Sequence, residues 1–222
     1  MKKLLSVLLC AVCALTLCFS AVACDDSGDD SGNTSPGGYQ TYVMEAEYID
    51  LDGIRGSGVS NEMIGVNMIF GNGTAEEKAN GWSNGYFVCG TDADKLQLKF
   101  VFDSEAATTG VSFTLRFGNE RETFTFTPDT LSIQLNGEEI DYSPITVQGP
   151  CTLEEMTFKD YVIGNNLSLK KGENVITLTV HAESGAAYAT GPRVDCIKLK
   201  SKSKLTFHAK TGNIEERDNQ EI

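Results

Sequence analysis

The sequence predicts an all-β fold, an antiparallel β-sandwich, for the chain from residue 39 onward. Short runs of β-branched and aromatic residues alternate there with clusters of Gly, Asn and Asp, and no long helical period interrupts them. In two runs, 96–102 and 175–180, apolar and polar residues mostly alternate, which is typical of strands with one buried and one solvated face. The dipeptide Asn136-Gly137 is a hairpin signal between two further runs.

The same patterns position the individual elements. Turn residues bound the β-rich runs, so the clearest strands are predicted at 41–49, 86–89, 95–102, 110–117, 130–135, 162–169, 174–181 and 193–200. The Gly- and Asn-rich stretch 53–81 is expected to be a long loop that forms part of a binding surface. In the polar C-terminal tail, 202–222, we expect an edge strand at 204–207 and frayed residues at 211–222.

The N-terminal residues have the pattern of an export signal. Met1-Lys2-Lys3 is basic, and the apolar run 4–19 carries no charge and is followed by small residues before Cys24. Residues 1–23 are therefore predicted to be a secretion signal. Because the run is nearly long enough to cross a bilayer as a helix, a retained membrane anchor is the alternative.

The residues Ala21-Val22-Ala23-Cys24 resemble the lipobox of bacterial lipoproteins, with Ala21 where the usual Leu is found. The resemblance implies that Cys24 is lipidated and becomes the first residue of the mature chain. Residues 24–38 are mostly Asp, Ser and Gly and are predicted to be a flexible acidic tether. The expected location is extracytoplasmic, with lipid holding the domain at the surface of a bacterial membrane.

Charge and cysteine content argue against two further classes of protein. The chain has 18 Lys and Arg against 31 Asp and Glu, which argues against a basic, phosphate-binding face and so against a nucleic-acid partner. Three of the seven cysteines lie in the signal, and a fourth is Cys24. The remaining Cys89, Cys151 and Cys196 allow at most one disulfide. We expect buried free thiols at 89 and 196 rather than a bridge or a zinc site.

Two acids near the start of the domain could hold a cation. Glu45 and Glu47 are two apart on a predicted strand, so their carboxylates project from the same face. Neighbouring carboxylates repel, and when they are partly buried a cation such as Ca²⁺ is the usual way to satisfy them, because it takes six to eight oxygen ligands without strict geometry. From residue types alone, solvated carboxylates at a sheet edge are an equal alternative.

A series of short motifs, in the correct order, carries a resemblance to a known family. They are Tyr42-Val43-Met44-Glu45-Ala46-Glu47, Asn84-Gly85-Tyr86-Phe87-Val88, the run 109–117, Ile133-Gln134-Leu135-Asn136-Gly137, the L-x-x-G-x-N-x-I-x-L segment 169–178 and the closing run 191–199. Residues 39–201 thereby resemble carbohydrate-binding modules of families six and thirty-five, which are galactose-binding-like β-sandwich jelly rolls. The resemblance implies a polysaccharide or oligosaccharide partner and a structural calcium bound by Glu45, Glu47 and Asp195.

The resemblance also implies which residues bind the sugar. Sugars need a flat apolar face and a few directed polar groups, and Trp82 and Phe158 match the aromatic walls of the family's cleft, with Tyr161 as a substitute. The alternative is that Trp82 caps the core and Phe158 belongs to it. Arg193 stands where the family commonly has Asn, and its guanidinium offers only donors. An anionic, uronic-acid glycan is thus the expected ligand, unless Arg193 pairs with a loop acid instead.

Catalysis is not indicated. Residues 81–85 fit the nucleophile-elbow pattern around Ser83, but strand-like residues follow where that pattern needs a helix, and His181 and His208 are the only histidines. We therefore predict a non-catalytic, lipid-anchored surface protein that binds carbohydrate. The first alternative is a protein-interaction or envelope-structural lipoprotein with surface protein partners, and the second is a jelly-roll hydrolase or lyase.

Overall fold

Short antiparallel strands organise the chain in the computed structural model. It describes residues 38–52, 54, 65–71, 81–120, 122–149, 156–184, 186 and 189–220. These residues belong to one compact unit, Gly32–Ile222. The predicted signal, Cys24, the tether up to residue 37 and Cys151 lie outside the described residues. Within the described ranges, no helix has both the length and the apolar character needed to cross a membrane.

The strands are numbered in chain order. They are β1 Gln40–Glu45, β2 Ile69–Gly71, β3 Tyr86–Val88, β4 Gln97–Ser104, β5 Thr108–Gly118, β6 Phe124–Phe126, β7 Leu131–Leu135, β8 Glu138–Glu139, β9 Ile145–Val147, β10 Lys159–Leu169, β11 Gly172–Val180, β12 Arg193–Ser201 and β13 Leu205–Phe207. The described ranges also contain 3-10 turns at Ala46–Tyr48 and Gly65–Met68 and a helix, α1, at Gly212–Gln220.

Two antiparallel sheets form the predicted β-sandwich. One has the order β10-β5-β12-β3-β2, with β1 also paired to β12, and the other has the order β13-β4-β11-β7-β8. Strands β6 and β9 form a separate two-stranded ribbon. From β10 to β13, successive strands alternate between the two large sheets, as in a jelly roll. The fold class predicted from the sequence is therefore confirmed.

Side chains of both sheets meet in one buried core. Phe100 and Phe102 of β4 and Phe113 and Phe117 of β5 are all fully buried members of this core. Buried and solvent-facing positions alternate along both strands, as the period-two pattern at 96–102 predicts. Burying one such ring stabilises the folded state by about 1.5–3 kcal/mol, so the core depends strongly on these aromatic residues.

Turn residues act as the sequence predicts. Asn136 and Gly137, between β7 and β8, both have positive φ, 55° and 85°, as the favoured two-residue hairpin turn requires. In the turn between β10 and β11, the buried side chain of Asn174 donates to the carbonyls of Lys170 and Gly172. Residues within or next to each of these two turns therefore stabilise its conformation.

The first predicted strand, 41–49, ends earlier than expected. Strand β1 stops at Glu45, and Ala46–Tyr48 form a 3-10 turn that is closed by a hydrogen bond from the amide of Ile49 to the carbonyl of Ala46. Both Ala46 and Glu47 are fully buried in this turn. Glu45 and Glu47 therefore do not project from one strand face, contrary to the prediction.

A short strand lies within the stretch that we expected to be irregular. Strand β2 pairs with β3, and it ends at Gly71, which has a φ of 112°. A Cβ atom at this position would lie 2.2 Å from the carbonyl oxygen of Gly85, so only glycine fits there. Residues 53, 55–64 and 72–80 of the predicted loop lie outside the described residues.

The C-terminal tail packs on the domain. The expected edge strand forms as β13, paired with β4. The predicted fraying at 211–222 is wrong over most of its length, because α1 forms there and docks beneath the 3-10 turn. The buried amide of Asn213 donates to the carbonyls of Glu47 and Ile49, at 2.8 Å each. These bonds join α1 to the backbone of the 3-10 turn and of the residue that follows it.

Candidate metal centre and aromatic cluster

Pairing of β1 with β12 brings three acids together. Glu45 ends β1 and lies opposite Cys196 of β12. Asp195 occupies a register shift in the pairing of β12 with β5, and Glu47 lies in the turn that follows β1. Glu45 and Asp195, from opposite ends of the domain, therefore come together, and Glu47 is near enough to interact electrostatically with both. We call these three residues the acid cluster.

Ser83 joins two members of the acid cluster. Its hydroxyl oxygen lies 2.6 Å from Oε2 of Glu45 and 2.9 Å from Oδ2 of Asp195, and its amide donates to Oδ1 of Asp195 at 2.6 Å. A hydroxyl has one hydrogen and can donate to only one of the two carboxylates at a time. The second contact is favourable only when a proton or a cation is shared between the acids.

Glu47 is the least compensated of the three acids. Its side chain is fully buried, and Oε1 accepts a hydrogen bond from the amide of Asn84 at 2.8 Å. Oε2 has no hydrogen-bond partner among the described residues. A buried carboxylate oxygen without a partner is costly, so this atom marks a place where a ligand or a proton is needed.

Burial raises the pKa of every carboxyl group in the acid cluster. Loss of hydration raises the pKa of Glu45 to about 7 and that of Glu47 to about 8, and the charges of the neighbouring acids raise both further. The pKa of Asp195 is raised to about 6, again mainly by burial and against hydrogen bonds from Ser83. Three ionised carboxylates in this space repel one another, which favours either protons or a bound cation.

A protein cation lies close to the acid cluster but is already engaged. Nε of Arg116 lies 3.9 Å from Oδ2 of Asp195 but only 2.6 Å from Oδ1 of Asp160. Asp160 also accepts a hydrogen bond from Nζ of Lys198 at 2.7 Å. Arg116 therefore compensates the acid cluster only in part.

The chemistry of the donors fits a metal ion. A carboxylate oxygen of Glu45, a carboxylate oxygen of Asp195 and Sγ of Cys196 all lie within 4.8 Å of one another. Glu47 is fully buried and Glu45 is only partly exposed, so the alternative of two solvated edge carboxylates does not describe this pair. The oxygen donors suit a hard divalent ion, for which partly dehydrated carboxylates are typical ligands.

Trp82 and Phe158 come together, but inside the protein. With Phe87 and Met156 they form a second buried cluster, which we call the aromatic cluster. The rings of Trp82 and Phe158 meet edge to face with centroids 5.4 Å apart, and only 4% and 6% of the two residues are exposed. The prediction that they form open walls of a cleft is not met in this structure, because neighbouring side chains cover both rings. The alternative, in which they pack as core residues, describes their positions.

An exposed ring that the sequence did not single out borders this cluster. Phe70 of β2 is 36% exposed, and its ring centroid lies 5.2 Å from that of Phe87. Tyr161 lies elsewhere, half-buried against Phe117 in the main core at 4.6 Å. The described part of the aromatic cluster thus reaches solvent through Phe70 and not through Tyr161.

Arg193 is buried in ion pairs. Its Nη2 atom lies 2.9 Å from Oδ2 of Asp92 and 2.6 Å from Oε1 of Glu120, and Nη1 donates to the carbonyl of Gly191. Burial alone would lower the pKa of the guanidinium, but the bonds to Glu120 and Asp92 raise it above its usual value. The alternative, in which Arg193 pairs with loop acids, therefore describes its position: Nη1 and Nη2 are engaged, and Nε is buried without a hydrogen-bond partner among the described residues.

In the described part of the chain, no histidine lies beside Ser83 to act as the base of a serine nucleophile. Ser83 contacts two carboxylates, whereas His181 faces Ser132 at 2.9 Å and His208 faces Asp103 at 2.7 Å. A histidine base beside Ser83 would be required for a Ser-His nucleophile pair, and both histidines contact other residues. Ser83 instead contacts the carboxylates of Glu45 and Asp195.

The sequence reasoning missed several residues of the two clusters. Ser83 was considered only in a nucleophile pattern, Asn84 only in that pattern and in a family motif, and Phe70 only as part of an irregular loop. The pair Asn84-Gly85 is a turn signal that could have drawn attention to Asn84, which has a positive φ of 54° in the structure. Cys196 was expected as a free buried thiol, and both it and Cys89 are free cysteines, but its place beside the acids depends on strand register.

Comparison with known proteins returns solved structures only. No protein-family model matches the chain, and no curated protein matches it. A family 35 carbohydrate-binding module of Abf62 from Cellvibrio japonicus is 14% identical, covers 76% of this chain and 97% of its own, and has a TM-score of 0.47. A Clostridium thermocellum family 35 module is 19% identical, with 72% and 98% coverage and a TM-score of 0.42. The fold assignment rests on the strand pairing described above.

A third similar structure is Xyl-CBM35 in complex with a glucuronic acid containing disaccharide. It is 16% identical, covers 74% of this chain and 96% of its own, and has a TM-score of 0.44.

Proposed function

We propose that the domain is a non-catalytic carbohydrate-binding module that carries a structural calcium ion. The observation that carries the proposal is the acid cluster. The motif resemblance named Glu45, Glu47 and Asp195 as partners, and Glu45 and Asp195 lie close together with the buried Glu47 beside them. Among the described residues, Arg116 approaches Asp195 only to 3.9 Å. The strands that the same motifs predict also form the β-sandwich.

Calcium would serve as the missing cation. The carboxylates of Glu45, Glu47 and Asp195 are hard oxygen donors, and Ca²⁺ accepts such ligands in irregular arrangements. Bound there, the ion would neutralise the acids and supply a partner for Oε2 of Glu47. Because Glu45 belongs to the first strand and Asp195 to the last large one, the ion would fasten the two ends of the domain together.

The proposed ligand is a polysaccharide or an oligosaccharide, bound at the aromatic cluster. Phe70 presents an exposed ring next to Phe87, with Trp82 and Phe158 behind it. An exposed aromatic ring can stack against the C–H face of a sugar. A uronic acid would have to release Arg193 from two carboxylates, so neutral glycans are the expected ligands.

A glycan array tests this proposal on the full-length chain, purified in detergent with calcium present. We expect saturable binding to at least one neutral glycan class, with about tenfold or greater loss of affinity for Phe70→Ala. The matched control is Tyr39→Ala, because Tyr39 is also an exposed aromatic residue at 45%. Trp82→Phe should leave the protein folded while altering the packing of the aromatic cluster beneath Phe70. Equal glycan binding by Phe70→Ala and the wild type would contradict this site.

A second candidate function is protein interaction or an envelope-structural role without sugar binding. The observations that favour it are the covered rings of Trp82 and Phe158 and the ion pairs of Arg193 with Asp92 and Glu120. If the folded, calcium-loaded chain binds no glycan, this candidate gains support. Crosslinking in the native envelope should then recover a defined surface protein.

We further propose that Cys24 anchors the protein to a bacterial membrane from the extracytoplasmic side. The support is the lipobox-like sequence before Cys24 and the polar tether after it. Expression with an alkyne-labelled fatty acid should label the wild type and leave Cys24→Ser unlabelled and no longer in the membrane fraction. Cys151→Ser is the control and should keep the label. Membrane retention of an unlabelled chain with residues 1–23 intact would instead support the spanning anchor.

A further inference from the structure

Cys196 brings a thiol to the acid cluster. The residue is fully buried and free. Its Sγ atom and one carboxylate oxygen each from Glu45 and Asp195 lie within 4.8 Å of one another. A site built only for calcium needs oxygen donors, so the thiol is an additional chemical feature of this chain.

Strand register explains why the thiol faces the acids. Glu45 of β1 and Cys196 of β12 are directly opposite partners, and side chains of such pairs lie on the same face of a sheet. In a regular strand, Asp195 would then point to the other face. The register shift between Val194 and Cys196 breaks this alternation, and Asp195 approaches from the same side as Cys196.

A second observation beside these groups points to a ligand. Glu47 is fully buried, its Oε1 atom accepts a hydrogen bond from Asn84, and its Oε2 atom has no hydrogen-bond partner in the described ranges. The residue before Asn84, Ser83, contacts both Glu45 and Asp195. The site therefore combines an unsatisfied oxygen, two further carboxylates and a thiol. These donors are appropriate for a divalent ion that accepts both oxygen and sulfur.

We propose that Cys196 lets the acid cluster bind a thiophilic divalent cation, Zn²⁺ or Cd²⁺, with Glu45 and Asp195 as oxygen ligands. The inference rests on the proposed metal site and concerns which ions it accepts. Thiolate ligands favour zinc and cadmium over calcium, which prefers oxygen. The thiol proton passes to water when the metal–sulfur bond forms.

The test compares two ions on the full-length chain and its variants. Cadmium titration is followed through the ultraviolet charge-transfer band of the cadmium–thiolate bond, and stabilisation by Cd²⁺ and by Ca²⁺ is followed through thermal unfolding. Cys196→Ser removes the thiol with little change in volume. Cys89→Ser and Cys151→Ser are matched controls for the other thiols of the domain.

The inference predicts a cadmium band and a cadmium-induced rise in Tm for the wild type and both controls. In Cys196→Ser, we expect loss of the charge-transfer band that appears at the lowest cadmium concentrations. The cadmium concentration needed for a given rise in Tm should increase about tenfold or more, whereas stabilisation by calcium should be retained. Equal cadmium bands and equal cadmium stabilisation in Cys196→Ser and the wild type would overturn the role of the thiol. Absence of stabilisation by either ion would overturn the metal site itself. Cadmium stabilisation that depends on Cys196, without any calcium effect, would support the thiol and contradict calcium.

Discussion

Removal of calcium is expected to destabilise the protein, and the resulting decrease in stability is expected to grow as the pH rises from about 5 to about 8. The pKa values of Glu45, Glu47 and Asp195 are raised by burial to about 7, 8 and 6. In the metal-free protein, binding of protons to these groups stabilises the folded state. This stabilisation is fully present below their ordinary pKa values, where the groups are protonated in both the folded and the unfolded protein. That stabilisation is lost as the pH rises through the folded-state pKa values.

Calcium should reverse this dependence. The ion binds the ionised carboxylates, so protons compete with it at low pH, and its stabilisation increases as the carboxyl groups ionise. One pKa unit corresponds to about 1.4 kcal/mol, so shifts of this size predict a calcium-dependent difference of several kcal/mol, or about 10 °C in Tm, near pH 8.

Thermal unfolding with calcium and with a chelator, at steps between about pH 5 and pH 8, measures both dependences. Glu47→Gln removes the least compensated charge and should flatten the chelator curve. Glu139→Gln is the matched control, because Glu139 is exposed, and it should follow the wild type. A chelated protein whose Tm stays constant or rises across this range would contradict the assignment.

Arg193→Ala is expected to destabilise the fold by about 3–5 kcal/mol, because it leaves the carboxylates of Asp92 and Glu120 without their shared cation. The side chain of Arg193 is 3% exposed, whereas that of Lys210, which pairs with Asp50 and Asp52 at the surface, is 39% exposed. Lys210→Ala is thus the control and should cost at most about 1 kcal/mol.

Chemical denaturation of the two variants, together with glycan binding, decides the role of Arg193. Arg193→Lys keeps the charge but loses the planar fork, so an intermediate loss of stability is expected. Removing Asp92 or Glu120 together with Arg193 should reduce the penalty, because fewer unpaired charges remain. Unchanged stability of Arg193→Ala combined with lost glycan binding would make Arg193 a ligand residue after all.

Local sequence rules predicted much of the sandwich. Alternation at 96–102, the turn signal at Asn136-Gly137 and the edge strand near 204–207 correspond to β4, the β7–β8 hairpin and β13. These features depend on interactions between near neighbours in the chain. The helix α1 was missed because its stability comes largely from tertiary contacts, such as the bonds of Asn213 to Glu47 and Ile49.

The candidate site could be predicted only in part, for a similar reason. Residue types and motif order nominated Glu45, Glu47 and Asp195; strand pairing brings Glu45 and Asp195 together, and Glu47 lies in the turn that follows Glu45. Burial was harder to predict, because Trp82 stands among small polar residues in the sequence but is covered by distant aromatic residues. The position of Cys196 depends on its pairing with Glu45, and the approach of Asp195 from the same side depends on a register shift; no local pattern reveals either.

Direct measurement of calcium binding tests the central claim, that the acid cluster is a metal site. Isothermal titration of the full-length chain near pH 7.5 is predicted to give one calcium per chain, with binding abolished in a Glu47→Gln, Asp195→Asn double variant and retained in Glu139→Gln. Absence of calcium binding by the folded wild type, or equal binding by the double variant, would contradict the claim.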